Sequence, residues 1–298
     1  MEKENFIVDC PSHEKAISKE ELQTAIREYD GILATLYDKI TAEMMEEAES
    51  LSVISNYAIG LDNIDVAFAN SKGIKVYNTP DIVTHSTADL AWAIFLALIR
   101  KILPANQYVR KGKWQAWDPS IFWGEELLGK TLGIIGFGRI GKEVARRAFG
   151  FGVKVVFYHY RSLQLEEDLE SSVQQVSKEH LLENCDYIFL HVPLTDETRG
   201  MIHEQTFKAM KKKPVIVNAA RGGVINTNDL IKALQEGWIR GAALDVTDPE
   251  PIEPDNPLCQ MENCLIVPHI GTATYECRTE MAKKAAENIV HHFRQRGD

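Results

Sequence analysis

At 298 residues, with 45% hydrophobic and 26% charged content, the chain has the make-up of a soluble globular protein with room for two domains. Its formal net charge of −10, from 33 basic and 43 acidic residues, argues against a nucleic-acid binder, which needs a concentrated positive face. Cys10, Cys185, Cys259, Cys264 and Cys277 are odd in number and lack zinc-like spacing, so a reduced, cytoplasmic compartment is expected.

The highly charged N-terminus does not read as a secretory leader. Phe6 to Cys10 is a strand candidate. Ser18 and Glu21 form a capping box for a helix running to about Glu28. Gly31 to Tyr37 is strand-like, Thr41 opens a second helix, and Leu51 to Ser55 is a strand leading to Ala58-Ile59-Gly60. Ile64 to Ser71 is helical and Ile74 to Tyr77 is again a strand, so the N-terminal part reads as a small parallel α/β unit. Asn78-Thr79-Pro80 marks a hinge, because the residue before proline is driven out of helical conformation.

A long helix is predicted from about Ser86 to Ile99. The apolar run Leu90 to Leu103 is interrupted by Arg100 and Lys101 and is too short to span a membrane. A Trp- and Pro-rich connection, Trp114 to Gly124, follows. The next stretch is the most informative. A buried strand ending at Ile135 leads into Gly136-Phe137-Gly138-Arg139-Ile140-Gly141, then an amphipathic helix, then a second strand, Val153 to Tyr158. In a βαβ unit the three glycines serve a tight turn, close approach of backbone to a pyrophosphate, and close helix–strand packing. The positive end of the helix dipole then faces the phosphates.

At the end of the second strand, where an acid would bond the ribose 2′-OH of NAD, stands His159, followed by Tyr160, Arg161 and Ser162. Arg161 and Ser162 suit a 2′-phosphate, which favours NADP with NAD as the alternative; a solvated loop arginine is the other reading.

Beyond Ser162 the alternation resumes. A helix ends at Leu182 to Cys185, and strands are expected at Tyr187 to Val192, Val215 to Asn218, Gly241 to Val246 and Leu265 to Val267. Helical segments are expected at Gln205 to Met210, Asn228 to Glu236 and Thr279 to Arg294. The basic run Lys211 to Lys213 reads as cations at a helix C-terminus. Ligands of open parallel sheets lie beyond the carboxyl ends of the strands. That directs attention to Ala58–Gly60, Gly136–Gly141, Val192–Pro193, Ala219–Arg221, Asp245–Pro251 and His269–Gly271. Arg221 there can clamp a carboxylate, and a glutamate near His269 would favour its protonated form and fix its orientation. On residue type alone each of these is ambiguous, since an arginine or histidine at a strand end is more often structural. The prolines among Asp248, Glu250 and Glu253 argue against a metal site there. His13, His180, His203, His291 and His292 read as solvated or helical histidines, and His85 and His191 have no nameable partner.

Several motifs in one order settle the family expectation. Tyr57 to Asp62, Asn78 to Pro80, Thr87 to Asp89, Gly136 to Gly141, His191 to Thr195, Asn218 to Gly222, Leu244 to Val246, Pro249 to Pro251 and Pro268 to Gly271 resemble the D-isomer-specific 2-hydroxyacid dehydrogenases over nearly the whole chain. The resemblance is nearest to glyoxylate/hydroxypyruvate reductases, through Asp245 to Pro251, Trp114 to Pro119 and the non-acidic His159. It implies an α/β protein of two doubly wound parallel-sheet domains. A Rossmann cofactor domain (80–270) is inserted in a flavodoxin-like substrate domain (1–79, completed by 271–298). The family's usual first strand and helix have no counterpart before Phe6. Either the substrate domain is rearranged or the native chain starts earlier.

By the same resemblance Arg221 binds the carboxylate and carbonyl of a small 2-oxoacid, Glu250 pairs with His269, and His269 is the acid/base. Ile59 and Gly60 offer backbone N–H groups to the carboxylate. Thr87, Val192, Pro193, Ala219, Ala220, Asp245, His269 and Gly271 join the glycine loop and residues 159–162 around the cofactor, with Asp245 on the nicotinamide carboxamide. Trp117 reaches the neighbouring subunit's site in a homodimer; ordinary interface packing is its alternative role. Rival activities are a 2-ketogluconate reductase, a D-lactate or phosphoglycerate dehydrogenase, or a non-catalytic dinucleotide sensor.

Overall fold

The computed structural model describes residues 6–10 and 17–296. It divides into two compact units, Met1–Val83 with Ala273–Asp298, and Thr84–Thr272.

The first unit begins with α1 (Lys19–Glu28), β1 (Gly31–Ala34), α2 (Ala42–Glu46), β2 (Val53–Asn56), α3 (Val66–Ser71) and β3 (Lys75–Tyr77). The expected capping box starts α1: the Glu21 amide donates to Ser18 Oγ at 3.2 Å, and the Ser18 amide to Glu21 Oε2 at 2.7 Å. The strands form a parallel sheet in the order β1-β2-β3, with every residue of the central β2 buried. Leu22, Ile26, Met44, Met45, Ile54 and Ile64 fill the core on one side. Phe6 to Cys10 is not a strand. The segment pairs with no sheet edge and is held by side chains instead, Phe6 against Phe293 and Tyr29 donating to Asp9.

The second unit contains α4 (Thr84–Ile99), α5 (Ile102–Arg110), β4 (Thr131–Ile135), α6 (Arg139–Phe149), β5 (Lys154–Tyr158), α7 (Glu167–Glu170), β6 (Val173–Gln175), α8 (Lys178–Asn184), β7 (Tyr187–Leu190), α9 (Glu204–Lys208), β8 (Val215–Asn218), α10 (Thr227–Gln235), β9 (Gly241–Leu244) and β10 (Cys264–Ile266). Its seven parallel strands run β10-β9-β8-β7-β4-β5-β6. β7, β8 and β9 are buried throughout, as strands covered on both faces must be. One core packs α4 and α6 around Trp92, Phe95, Phe157 and Phe189. The other packs Leu181, Ile188, Phe207, Ile216 and Leu230. The order reverses between β7 and β4, which places the switch point beside the glycine loop. The basic run 211–213 lies past the end of α9 rather than at it: Lys211 pairs with Glu183 and Lys212 with Asp186. Among the described residues no helix is long and apolar enough to cross a membrane.

The chain then returns to the first unit as α11 (Tyr275–Arg296), which buries Met281, Ala285, Asn288, Ile289 and His292. Asn288 donates to Ser55 Oγ and to the Asn78 carbonyl, and His292 Nε2 lies 3.2 Å from Ser52 Oγ. His13 lies outside the described residues.

Candidate active site and dinucleotide loop

β4 runs buried to Ile135 and turns at Gly136, whose φ of +96° is left-handed. A Cβ at Gly136 would fall 2.5 Å from the His191 carbonyl oxygen and 2.8 Å from Val192 Cγ1, so only glycine lets the loop after β7 come this close. A Cβ at Gly141 would lie 2.3 Å from the Gly136 oxygen. Gly138 opens α6 with no side-chain cap, and a Cβ there would meet nothing within 4 Å. Phe137 is buried and stacks on Phe157 at 3.9 Å, anchoring the loop from below. An uncapped helix N-terminus beside open space fits a pyrophosphate. Arg139 and Ile140 form the first turn of that helix, and Val192 and Pro193 line the adjoining loop.

Past β5 the chain continues through His159, Tyr160, Arg161 and Ser162 with no helix or strand. The Arg161 guanidinium sits 4.8 Å from the Tyr160 ring centroid, and the Arg161 amide donates to His159 Nδ1 at 3.3 Å. No carboxylate lies in this loop. Glu166, Glu167 and Asp168 follow it, and Glu166 and Asp168 are paired with Lys142 and Arg146.

The candidate catalytic residues Arg221, Glu250 and His269 come from three adjacent strand ends. At the end of β8, Asn218 is buried. It accepts the Ala220 amide at 3.1 Å and donates to the Arg221 carbonyl at 3.0 Å, which fixes the Ala219-Ala220-Arg221 turn. Arg221 Nη1 donates to the Ala220 carbonyl at 2.8 Å. A Cβ at Gly222 would lie 1.9 Å from the Thr247 carbonyl oxygen, so the arginine turn rests directly on the loop after β9. In that loop the Thr247 amide donates to Glu250 Oε2 at 3.4 Å, and Glu250 Oε1 lies 2.6 Å from His269 Nδ1. With Nδ1 engaged by the carboxylate, Nε2 is the nitrogen left to exchange a proton with a ligand.

His269 itself adopts φ +51°, which is unfavourable for a residue with a side chain. Asp245 compensates. Its carbonyl accepts the His269 amide at 2.9 Å, Oδ1 accepts the Ile270 amide at 2.6 Å, and Oδ2 accepts the Gly271 amide at 2.9 Å. Burial pushes the Asp245 carboxyl up to about 6, with the two amides acting in the opposite direction. A Cβ at Gly271 would lie 2.9 Å from Asp245 Oδ2 and 3.5 Å from Thr87 Oγ1, so Thr87, Asp245 and Gly271 meet as well.

Ile59 and Gly60 belong to the first unit, where Asn78 and Asn56 amides bond their carbonyl oxygens at 2.8 Å each. Trp117 is 84% exposed in the segment between α5 and β4. His85 has a partner after all, with Nδ1 3.1 Å from Glu143. His191 has both ring nitrogens buried without a partner, and burial drives its pKa down to about 4. Residue type alone overlooked Asn218, Gly222 and Thr247 as the supports of Arg221 and Glu250. The glycine pair after Arg221 was the available signal for the close contact at 222.

A sequence profile described as D-isomer specific 2-hydroxyacid dehydrogenase, NAD binding domain, matches residues 92–271. A glyoxylate reductase of Korarchaeum cryptofilum is 44% identical over 289 residues, covering 96% of this chain and 86% of that protein. A crystal structure of a Thermus thermophilus protein superimposes with a TM-score of 0.86 at 40% identity, covering 93% of this chain and 86% of that one. The NADPH-dependent glyoxylate/hydroxypyruvate reductase of Sinorhizobium meliloti, solved with NADP and malonate, gives a TM-score of 0.81 at 30% identity, covering 93% of this chain and 83% of that one. With its glycine loop, its Glu250–His269 pair and these relatives, the chain belongs to the D-isomer-specific 2-hydroxyacid dehydrogenase family.

Proposed function

We propose that this enzyme reduces a small 2-oxoacid of the glyoxylate or hydroxypyruvate type to the D-2-hydroxyacid, and that it prefers NADPH to NADH. The observation that carries the reading is the 2.6 Å contact between Glu250 and His269 Nδ1, on the strand ends next to the Arg221 turn. When bound, a reduced nicotinamide supplies the hydride to the carbonyl carbon. Arg221 binds the carboxylate and carbonyl oxygens, where a planar guanidinium matches two acceptors. His269 delivers the proton from Nε2 to the carbonyl oxygen, and Glu250 stabilises the ring while it carries that proton. Asp245, with Thr87 nearby, is proposed to hold the nicotinamide carboxamide, and Ile59 and Gly60 are proposed to contribute backbone N–H groups to the substrate. The preference for NADPH is supported by Arg161 and Ser162 in a loop without carboxylates.

A homodimer is proposed on the exposed apolar residues Ile102, Leu103 and Val109 of α5 and Trp114, Trp117 and Trp123 beyond it. Sedimentation at nanomolar concentration checks this, and a fully active monomer would contradict it.

The deciding experiment is a rate panel of glyoxylate, hydroxypyruvate, 2-ketogluconate, pyruvate and phosphohydroxypyruvate with each nicotinamide. His269→Ala should lower turnover by ~10²–10⁴-fold. Near-normal kcat in that variant removes the acid/base assignment. No turnover on any of these acids, beside tight dinucleotide binding, would replace the enzyme with a sensor.

A further inference from the structure

We propose that Gln175 is a positioning residue for cofactor selection: its side-chain amide holds the loop 159–163 in the form that presents Arg161 to a 2′-phosphate. The inference rests on the NADPH preference proposed above. Gln175 is the last residue of β6, the edge strand, in register with Phe157 of β5. Its Nε2 donates to the His159 carbonyl at 3.2 Å and to the Arg161 carbonyl at 2.8 Å. Its Oε1 accepts the Leu163 amide at 3.4 Å.

The three groups bonded belong to alternate residues, 159, 161 and 163. The segment bends at Tyr160 and Arg161, where the Arg161 amide also donates to His159 Nδ1, and this bend brings the three groups to one side. One side-chain amide therefore does for this segment what a neighbouring strand does for a ladder, at the place where the ladder between β5 and β6 has ended. The role needs a group with two N–H donors and one acceptor, which a glutamine has and a glutamate lacks. With the backbone held at 159, 161 and 163, the Arg161 guanidinium is left over the Tyr160 ring rather than free to sweep. Two of the three carboxylates that follow, Glu166 and Asp168, are tied to Lys142 and Arg146.

The test is calorimetric binding of adenosine 2′,5′-bisphosphate and of 5′-AMP, which differ in the 2′-phosphate. It compares wild type, Gln175→Met, Gln175→Glu, Arg161→Ala and the Gln175→Met/Arg161→Ala double variant, with thermal melts of each. The wild-type preference for the bisphosphate should fall about three- to tenfold in Gln175→Met, the loss expected for one or two modest hydrogen bonds. It should fall at least as far in Gln175→Glu. The 5′-AMP affinity should stay within about twofold, and Gln175→Met should add less than about twofold in the Arg161→Ala background.

An unchanged preference in Gln175→Met, while Arg161→Ala abolishes it, overturns the role of Gln175 and leaves the NADPH reading standing. Equal weakening of both nucleotides would make Gln175 a merely structural residue and also overturns the proposal. A wild-type preference near unity, or one untouched by Arg161→Ala, refutes the NADPH reading itself and this inference with it.

Discussion

Adding one methyl group at position 222 tests whether the arginine turn and the acidic loop are kept in register by direct backbone contact. The Cβ of Gly222→Ala would lie 1.9 Å from the Thr247 oxygen, 2.1 Å from the Thr247 carbonyl carbon and 2.7 Å from the Asp248 nitrogen. Ordinary contact begins near 3.4 Å, so about 1.5 Å of separation must be found, and none of it by rotating a side chain. Neither wall yields easily. Thr247 bonds Glu250 and Pro249, and Asp248 accepts the Thr227 hydroxyl at 2.5 Å. On the other side Asn218 holds the Arg221 carbonyl. The shift therefore passes to Arg221, to Glu250, or to both, and a misplacement of ~1 Å is enough to cost ~10²-fold in rate. We expect kcat/KM for glyoxylate to fall ~10²-fold or more, with a stability loss of ~1–3 kcal/mol. Gly223→Ala is the control. Its nearest neighbours are side-chain atoms of Arg199 and Leu194 at 3.4 Å, and neither glycine has a positive φ, so the pair compares space alone. Gly223→Ala should stay within about threefold of wild type. Steady-state kinetics with circular dichroism and melting curves decide the matter. Gly222→Ala within about threefold of wild type, or equal losses in both variants, would refute the contact as the cause.

Arg221→Lys keeps the charge and loses the fork, so KM for the 2-oxoacid should rise about tenfold or more; an unchanged KM would remove Arg221 from substrate binding. Burial raises the Asp245 carboxyl to about 6, against an unfolded value of ~3.9, so the folded state holds this proton more tightly. The stability from this group is complete below about pH 4 and is lost as pH rises through about 6. The unfolding free energy of wild type minus that of Asp245→Asn should thus fall by up to ~3 kcal/mol from pH 4 to 7, and a flat difference in denaturant melts would contradict it. Cys10 and Cys259 are exposed, whereas burial pushes the Cys185 and Cys264 thiols up to about 12. Ellman titration of the native protein should find two fast thiols, and rapid labelling of Cys185 or Cys264 would be the contrary result.

The glycine loop was legible because its requirements are local: a left-handed turn at 136 and bare backbone at 141, where a Cβ would meet the Gly136 oxygen, can be met by few residue types. Arg221, Glu250 and His269 were legible as strand-end positions, but their roles came from the resemblance, since residue type alone left each ambiguous. What the sequence concealed depends on partners distant in the chain. Phe6 to Cys10 has the composition of a strand and no edge to pair with. The three-residue β6, Val-Gln-Gln, is too short and polar to carry a period, so Gln175 gave no sign of its bonds. The contact of Gly222 with Thr247 joins residues 25 positions apart and follows from the parallel pairing of β8 with β9. The Glu143 partner of His85 likewise becomes visible only when α4 packs on α6.

The return of the chain to its first unit through α11 has a consequence for synthesis. β1, β2 and β3 leave the ribosome early, but the helix that covers Val53 and bonds Ser52, Ser55 and Asn78 emerges only after residues 84–272. At ~5–20 residues per second the early sheet waits roughly 10–40 s with one apolar face bare. The 84–272 unit has its whole seven-stranded sheet within that interval and is free to fold at once. The order in which the two units can be completed is thus the reverse of the order in which they start: residues 84–272 hold all seven strands of their sheet before the first unit receives α11.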